Sequence, residues 1–420
     1  MAGRLALCLV EATAGRLYLR PTAAGLCLRR AAGGTATTPV PLQASSGNLR
    51  TQADLPEVTL PTFLYRMIFK GYYNRLHELQ DSLKYENVVN DVITDFVKRI
   101  RYLCKISPTG DLVPNVTNEL YRFSLEGISR ILFETQIGCL ENEIPAETQN
   151  FINSISQMQR ESIPVSVLPK WTRNYLPFWK HYVAGWDGIF SFACKLIDRK
   201  MEDIQKRLDT NQEAAGEYLT YLLSNTKMSK KDVYGSVAEL LLAGVETTSN
   251  TLLWALYLLS RDPKAQDILY QEVADIVKGD QIPAAQDINN MPYLKAVIKE
   301  TLRMYPVVPV NATPFTTFVI YHYAISQDET VFLHPQMFKP ERWLRDGRER
   351  PHPFGSLPFG FGVRGCVGRR IAELEMHLAL ARHRRTSNQI NRNMLVPDRQ
   401  VNFHFLERKR CIHLNGFFTV

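Results

Sequence analysis

Apolar residues recur at helical spacing through most of the chain, and this pattern predicts a mainly helical protein. Apolar side chains three and four positions apart give each segment one buried face. The predicted helices span 85–103, 116–133, 145–158, 186–208, 233–260, 291–305 and 369–382. The segment 164–177 contains three prolines and is predicted to be a loop between two of these helices.

The longest apolar helix, 233–260, has an unusual centre. Its leucine-rich run is interrupted by Ala-Gly-Val-Glu246-Thr247-Thr-Ser-Asn250, which places a carboxylate and several hydroxyls among apolar residues. A charged group at that depth argues against a membrane span. Hydroxyls of Thr and Ser can hydrogen-bond to the carbonyl one turn earlier and open the helix locally. Gly244 removes bulk where a ligand could press against the helix.

A glycine-dense loop carries one cysteine directly before the helix 369–382. The loop reads Phe359-Gly-Phe-Gly-Val-Arg364-Gly-Cys366-Val-Gly368. Because the first N–H groups of a helix are unpaired and its dipole favours negative charge, a thiolate is stabilised there. The glycines let a flat, bulky ligand approach the backbone, and Arg364 could pair with a carboxylate on it. A structural zinc site fits poorly, since it needs about four Cys or His ligands.

The spacing Phe-x-x-Gly-x-Arg-x-Cys-x-Gly in this loop resembles the haem-thiolate signature of cytochromes P450. A lone cysteine is by itself more often an inert buried thiol. The resemblance implies instead that Cys366 is the axial iron ligand of haem b and that Phe359, Arg364 and Gly368 belong to the cofactor-binding loop. Arg364 would contact a haem propionate. It also implies the P450 fold, mainly α with a small β-sheet, an α+β architecture.

Two further motifs follow the P450 arrangement. The run Ala-Gly-x-Glu-Thr-Thr resembles the oxygen-activation motif, which implies that Glu246 and Thr247 deliver protons during catalysis. Glu300 and Arg303 share one helix face. With Arg342 they resemble the structural triad that locks the P450 core behind the haem. A single Glu-x-x-Arg is common on solvated helices, so its meaning depends on the other two motifs.

Longer runs that begin at Leu168, Ser191 and Gly355 resemble the mitochondrial sterol 27-hydroxylase branch of the family, also called 26-hydroxylase. The resemblance implies a monooxygenase that uses O2 and electrons from an adrenodoxin-type ferredoxin. Its substrate would be a sterol or a vitamin D-type secosteroid, hydroxylated on the side chain.

The same resemblance assigns two surfaces. Lys295 and Lys299 lie four apart on one helix face and match the lysines that meet the ferredoxin, although such a pair is more often only a solvated face. Val307, Val308 and Val310 match the segment that lines P450 substrate pockets, and they offer an apolar wall suited to a sterol.

The first 45 residues contain five arginines and one acid and resemble a mitochondrial transit peptide. A secretory or anchoring signal is the rival interpretation. This leader accounts for half of the +8 formal charge, so the remainder is mildly basic and no nucleic acid partner is indicated. We expect one P450 domain over 46–420, with its haem core at 233–385, on the matrix side of the inner mitochondrial membrane. The aromatic and basic segment 60–79 could contact that membrane peripherally, although core packing explains it equally well.

The chain also departs from the P450 pattern. No Trp-x-x-x-Arg of the propionate-binding kind occurs before Trp171, and Gln80–Asp81 joins segments that relatives keep apart. Thr313 stands where relatives have another propionate-binding arginine. The segment from there to His322 is short and is expected to lack sheet strands, and 383–409 is trimmed. The alternative to an enzyme is therefore a catalytically defective variant, from splicing or an incomplete gene model, that does not hold haem or only binds a ligand or partner.

Overall fold

The structure is a computed structural model. It describes residues 83–209, 218–219, 230–279, 281–312, 319–345, 351–362, 365–382, 386–389 and 403–407. Some positions singled out above lie outside these residues: the leader 1–45, the segment 60–79, the junction at Gln80–Asp81, Thr313, Arg364 and most of 383–409.

Helices account for most of the described residues, as the amphipathic pattern predicts. They are α1 (Glu86–Ile106), α2 (Val116–Phe133), α3 (Ala146–Val167), α4 (Pro177–Asp209), α5 (Lys230–Arg261), α6 (Pro263–Ile276), α7 (Pro292–Met304), α8 (His322–Ser326) and α9 (Arg369–Arg382). Short 3-10 helices span Lys170–Asn174, Asp287–Asn290 and Pro340–Trp343. Within this part of the chain, no helix combines the length and the apolar character needed to cross a bilayer.

The proline-rich loop is shorter than predicted. Pro164 lies inside α3, and Pro177 begins α4 well before position 186. Proline fits the first turn of a helix because its missing N–H has no intrahelical partner there. The carbonyl of Pro164 still accepts the N–H of Leu168 at 2.9 Å, so the helical turn is completed beyond the ring. The prediction of a loop over 164–177 was therefore wrong at both ends.

Small strands complete the fold. They are β1 (Leu112–Val113), β2 (Val310–Ala312), β3 (Val319–Tyr321), β4 (Thr386–Gln389) and β5 (Phe403–Glu407). Strand β5 lies between β1 and β4, antiparallel to both, and β2 pairs antiparallel with β3 so that Val310 faces Tyr321. The expectation that the segment before His322 lacks strands was wrong, because β2 and β3 pair there across a short connection. The predicted class, mainly helical with a small sheet, is confirmed.

The chain divides into two units. The described part of the first, Asn153–Phe190, contains the end of α3 and the start of α4. These two segments touch at Gly185, where a Cβ would lie 2.8 Å from the backbone N of Met158. A glycine is therefore needed at that contact.

The second unit carries the motif helices. Helix α5 contacts α2, α7 and α9, and its contact with α2 is the most extensive helix pair in the described residues. The unit is held together by apolar side chains that are almost fully buried, among them Phe123, Ile131, Val245, Leu294 and Leu378. Burial of this kind is the main favourable term in folding. It brings the helix with the Glu-Thr-Thr turn against the helix that follows Cys366.

Candidate active site

The loop before α9 is shaped by backbone hydrogen bonds. The N–H of Cys366 donates to the carbonyl of Phe359 at 2.7 Å, and the N–H of Gly365 donates to the carbonyl of Gly362 at 2.9 Å. Gly360 and Gly362 have φ of 70° and 71°. Only glycine adopts this left-handed region without strain. The glycine spacing thus produces the tight turn that presents Cys366 at the start of α9.

Cys366 is solvent-accessible, but protein atoms crowd its sulfur. Burial raises the pKa of the Cys366 thiol, while the backbone N–H groups of Gly368 and Arg369 act in the opposite direction. The guanidinium of Arg369 lies 5.3 Å from the centre of the Phe359 ring, a cation–π contact that ties the loop to α9. The amides at the helix start therefore favour the thiolate, as the sequence predicts, but they do not outweigh desolvation. A metal ion at the sulfur would deprotonate it outright.

The donor set around Cys366 fits a cofactor that supplies the other ligands of its own metal. Among the described residues, no group of three or more His, Cys, Asp or Glu side chains could hold a bare metal ion. In the part of the chain that the structure describes, the Cys366 sulfur is the one atom that a Cβ on Gly368 would meet, at 4.0 Å, so the glycine leaves space beside the sulfur. A single accessible thiol on a glycine loop is what a haem iron requires of the protein.

Glu246 and Thr247 lie on one turn of α5, and both are half-buried. The Thr247 hydroxyl donates to the carbonyl of Ala243 at 2.6 Å, and the Ser249 hydroxyl donates to that of Val245 at 2.5 Å. Asn250 Nδ2 donates to the carbonyl of Glu246 at 2.9 Å. The predicted bonding of polar side chains to carbonyls one turn earlier is therefore observed.

The space beside Gly244 is filled by protein. A Cβ on Gly244 would lie 2.8 Å from Cγ1 of Ile128 on α2. The expectation that a ligand presses against this glycine was wrong, since α2 already occupies that side. Gly244 instead allows α2 and α5 to approach closely at the polar turn.

Glu300, Arg303 and Arg342 are brought together in the protein interior, where their exposed fractions are 0%, 1% and 2%. Arg303 Nε and Nη2 donate to the two carboxylate oxygens of Glu300 at 2.9 and 2.8 Å. Arg342 Nε donates to the same carboxylate at 3.0 Å. Trp343 Nε1 and the backbone N–H of Lys339 add bonds of 2.8 and 3.1 Å. Glu300 is thus a hub that receives five donors.

The arginines also hold the chain that follows α8. Arg303 Nη1 donates to the carbonyl of Ser326 at 2.7 Å, and Arg342 Nη1 donates to that of Leu333 at 3.0 Å. Both guanidinium groups lie near the ring of Phe332, at 5.1 and 6.0 Å. Because carbonyls and the carboxylate satisfy the guanidinium donors, the charges are tolerated in the interior. The network fixes residues 326–343 against α7.

Lys295 and Lys299 lie on α7, whose start is capped by a carboxylate from α6. Glu272 accepts the N–H groups of Tyr293 and Leu294, each at 2.8 Å. Burial lowers the pKa of Lys295, and the neighbouring Lys299 lowers it further. Burial and the same two lysines lower the pKa of His377 to about 4. Lys299 is exposed, and Lys295 is half-buried.

The predicted pocket valines follow α7. Val307 is half-buried, whereas Val308 and Val310 are 47% and 44% exposed. The segment is anchored just before them, where the ring of Tyr305 stacks on Trp254 of α5 at 3.8 Å and 3°. The end of α7 is therefore held to α5, and the two valines present apolar surface beyond that anchor.

The sequence reasoning missed two polar residues near these motifs, Tyr121 and Glu375. Tyr121 on α2 accepts a hydrogen bond from Asn250, and Glu375 on α9 is 3% exposed with no hydrogen-bond partner for Oε1. No local pattern marks Tyr121, and the contact between Tyr121 and Asn250 joins positions 129 residues apart. Glu375 lies in a run of helix-forming residues. Only its position on the apolar face of α9 could have indicated that its carboxyl is buried.

Comparison with known proteins matches these motifs to one family. The family model described as Cytochrome P450 matches residues 72–314 and 315–383. The chain is 45% identical over 368 residues to "Sterol 26-hydroxylase, mitochondrial" of Mus musculus, covering 80% of this chain and 69% of that protein. It is 44% identical over 371 residues to the protein of that name from Homo sapiens, with the same shares covered.

More distant relatives agree. The chain is 38% identical over 362 residues to the human "25-hydroxyvitamin D-1 alpha hydroxylase, mitochondrial", covering 78% of this chain and 71% of that one. The solved structure described as "Crystal structure of cytochrome P450DA heme domain" has a TM-score of 0.65 at 20% identity and covers 84% of this chain and 79% of its own, which supports the fold alone. The relatives' names indicate a mitochondrial location. The chain belongs to the cytochrome P450 family and is a haem-dependent monooxygenase.

Proposed function

We propose that this P450 hydroxylates the side chain of a sterol or of a vitamin D-type secosteroid. The observation that carries the proposal is the exposed residue Cys366 on its glycine loop, in a chain 44–45% identical to proteins named sterol 26-hydroxylases. The exposed Val308 and Val310, with Val307 beside them, would form an apolar wall for the steroid. Apolar surface favours such a ligand, since its burial is worth roughly 25 cal/mol per Å².

In this proposal Cys366 would hold haem b through its thiolate, Phe359 and Gly368 would belong to the loop around it, and Arg364 would pair with a haem propionate. When bound, a haem held by this cysteinate would supply the chemistry of O–O cleavage. Glu246 and Thr247 manage protons on the α5 side. Because the Thr247 hydroxyl donates its hydrogen bond to the carbonyl of Ala243, its lone pairs remain available to accept a hydrogen bond from a proton donor in the site.

A monooxygenase of this family needs electrons from a redox partner and O2. We assign the partner to an adrenodoxin-type ferredoxin that docks at Lys295 and Lys299, of which the exposed Lys299 is the more available. Lys295 and Lys299 give this part of α7 a positive field that suits an acidic protein. The location is the matrix side of the inner mitochondrial membrane, with 1–45 as the leader, 46–420 as the P450 domain and 233–385 as its haem core.

The test begins with the purified full chain, reduced under carbon monoxide. We expect a red-shifted Soret band typical of a haem thiolate, and Cys366→Ala should abolish it. With ferredoxin, its reductase and sterol or secosteroid candidates, mass spectrometry should detect a product heavier by one oxygen. Lys299→Glu should raise the ferredoxin KM and leave the carbon monoxide band unchanged.

Each result has a contrary outcome. A folded chain without the band would favour the defective variant that does not hold haem, and a band that survives Cys366→Ala would remove the thiolate from that cysteine. A band without any sterol product would leave a P450 of another specificity. An unchanged ferredoxin KM in Lys299→Glu would remove the docking role from α7.

A further inference from the structure

Helix α2 touches α5 on both sides of the turn that carries Glu246 and Thr247. On the earlier side, Gly244 lies against Ile128 so closely that a Cβ would stand 2.8 Å from Cγ1. On the later side, Asn250 meets Tyr121. Tyr121 stands about two helical turns before Ile128, so both project from one face of α2. One face of α2 therefore contacts the turn at both ends.

A short hydrogen-bonded path joins Tyr121 to the backbone of Glu246. Asn250 Nδ2 donates to Tyr121 Oη at 3.0 Å and to the Glu246 carbonyl at 2.9 Å. A side-chain amide has two N–H donors, so both bonds can form together. Tyr121 thereby fixes the Asn250 side chain, and Asn250 in turn fixes the Glu246 peptide.

The turn needs support from α2 because the backbone hydrogen bonds of α5 are weakened there. The hydroxyls of Thr247, Ser249 and Thr251 donate to the carbonyls four residues earlier. These hydroxyls therefore compete with the helical N–H groups for the same carbonyl acceptors. Side chains that bond in this way tend to bend and slightly destabilise a helix. The positions of Glu246 and Thr247 thus depend on the α2 contact as well as on α5.

Tyr121 also keeps its phenolic proton beside the acid. Burial and the negative charge of Glu246 raise the pKa of Tyr121 to about 12. The hydroxyl accepts from Asn250 and still has a proton to donate. The neutral Tyr121 hydroxyl is therefore available to the turn as a hydrogen-bond donor and does not act as a base beside Glu246.

We infer that Tyr121 is a positioning residue for the oxygen-activation turn, where with Asn250 it sets the place of Glu246 and Thr247 along α5. The inference rests on the proposed function, since those two residues matter only if they manage protons in a monooxygenase. Tyr121 acts through Asn250 and is not itself a catalytic residue.

Tyr121→Phe is the sharpest test, because it removes one oxygen and keeps the ring between the helices. We expect amide hydrogen exchange at 244–251 to accelerate about fivefold, the factor for one net hydrogen bond. In the holoenzyme the hydroxylated product per electron consumed should fall by a similar factor, with peroxide released instead. The sterol KM and the carbon monoxide band should not change.

Tyr234→Phe is the matched control, since Tyr234 lies on the same helix and its hydroxyl donates to Asp198 of α4. It should leave exchange at 244–251 unaltered. In an Asn250→Ala background, Tyr121→Phe should have no further effect, because the path is already cut.

Unchanged exchange at 244–251 in Tyr121→Phe would overturn the inference, and so would equal acceleration in Tyr234→Phe. Loss of the carbon monoxide band in Tyr121→Phe would also overturn it, since the hydroxyl would then support the whole fold. Exchange requires neither sterol nor ferredoxin. A wild-type chain that makes no sterol product therefore counts against the proposed function alone.

Discussion

Glu300 on α7 and Glu375 on α9 are both buried, at 0% and 3% exposure, but their surroundings are opposite. Glu300 receives donors from two arginines, a tryptophan and a backbone N–H. Glu375 faces Gly127 of α2, and its Oε1 has no hydrogen-bond partner. The same side chain is thus a structural hub in one place and an unsatisfied group in the other.

The difference shows that partners, rather than burial, decide what a buried carboxyl does. The charge of Glu300 is matched by guanidinium groups, so the interior tolerates it. Burial alone raises the pKa of Glu375 to about 8. The native protein therefore holds this proton more tightly than the unfolded chain, in which the carboxyl titrates near its ordinary value of 4.5. The stability present below about pH 4.5 is lost as pH rises toward 8.

The largest effect should come from removing the hub charge. Glu300→Gln leaves Arg303 and Arg342 buried with an uncompensated charge, which costs about 3–5 kcal/mol. Urea unfolding should show this loss, accompanied by a weaker carbon monoxide band. Glu147→Gln, which breaks an exposed pair with Lys195, should cost less than about 1 kcal/mol. A loss in Glu300→Gln no larger than in this control would contradict the hub role.

A smaller effect of opposite sign is expected at Glu375. Glu375→Gln cannot ionise, so the variant should keep its stability between about pH 5 and pH 8, where the wild type loses it. Near pH 8.5 the variant should be more stable by roughly 1–3 kcal/mol, less than the full titration effect because the amide also needs partners. Urea unfolding over a pH series measures both slopes. Parallel slopes would mean that Glu375 finds partners in solution.

The smallest effect concerns the residue opposite Glu375. A Cβ on Gly127 would lie 2.5 Å from Glu375 Oε1, so Gly127→Ala should cost about 1 kcal/mol as the carboxyl moves aside. In a Glu375→Ala background the cost should vanish, which a double-mutant cycle would detect. Gly235→Ala on α5 is the control, since its Cβ meets no atom within 4 Å. If the effects of Gly127→Ala and Glu375→Ala on stability were additive, the two residues would not interact.

The features that the sequence predicted well are local ones. Glu300 and Arg303 stand one helical turn apart, and the loop around Cys366 is shaped by bonds between close neighbours such as Phe359 and Cys366. Helical periodicity likewise needs only residues three and four apart. The role of Arg342 could be predicted only from the resemblance to the P450 family, because its partner Glu300 lies 42 residues earlier in the chain.

Long-range contacts escaped prediction for a physical reason. Strand β1 has only two residues, too few for an alternating pattern, and it pairs with β5 far along the chain. The bond between Tyr121 and Asn250 depends on how two helices cross. The expectation of a ligand beside Gly244 was wrong for a related reason. A glycine in a helix indicates a close neighbour, but the sequence does not tell whether that neighbour is a ligand or a side chain such as Ile128.

The hub at Glu300 also couples the burial of α7 to the docking of a segment that is distant in the chain. Arg303 is in place as soon as α7 forms, but Lys339, Arg342 and Trp343 stand 39, 42 and 43 residues from Glu300. They arrive only when the intervening chain has closed a loop, which costs conformational entropy. Before that, burying α7 would leave carboxylate oxygens short of donors. Burial of α7 and docking of the segment through Trp343 are therefore one cooperative event.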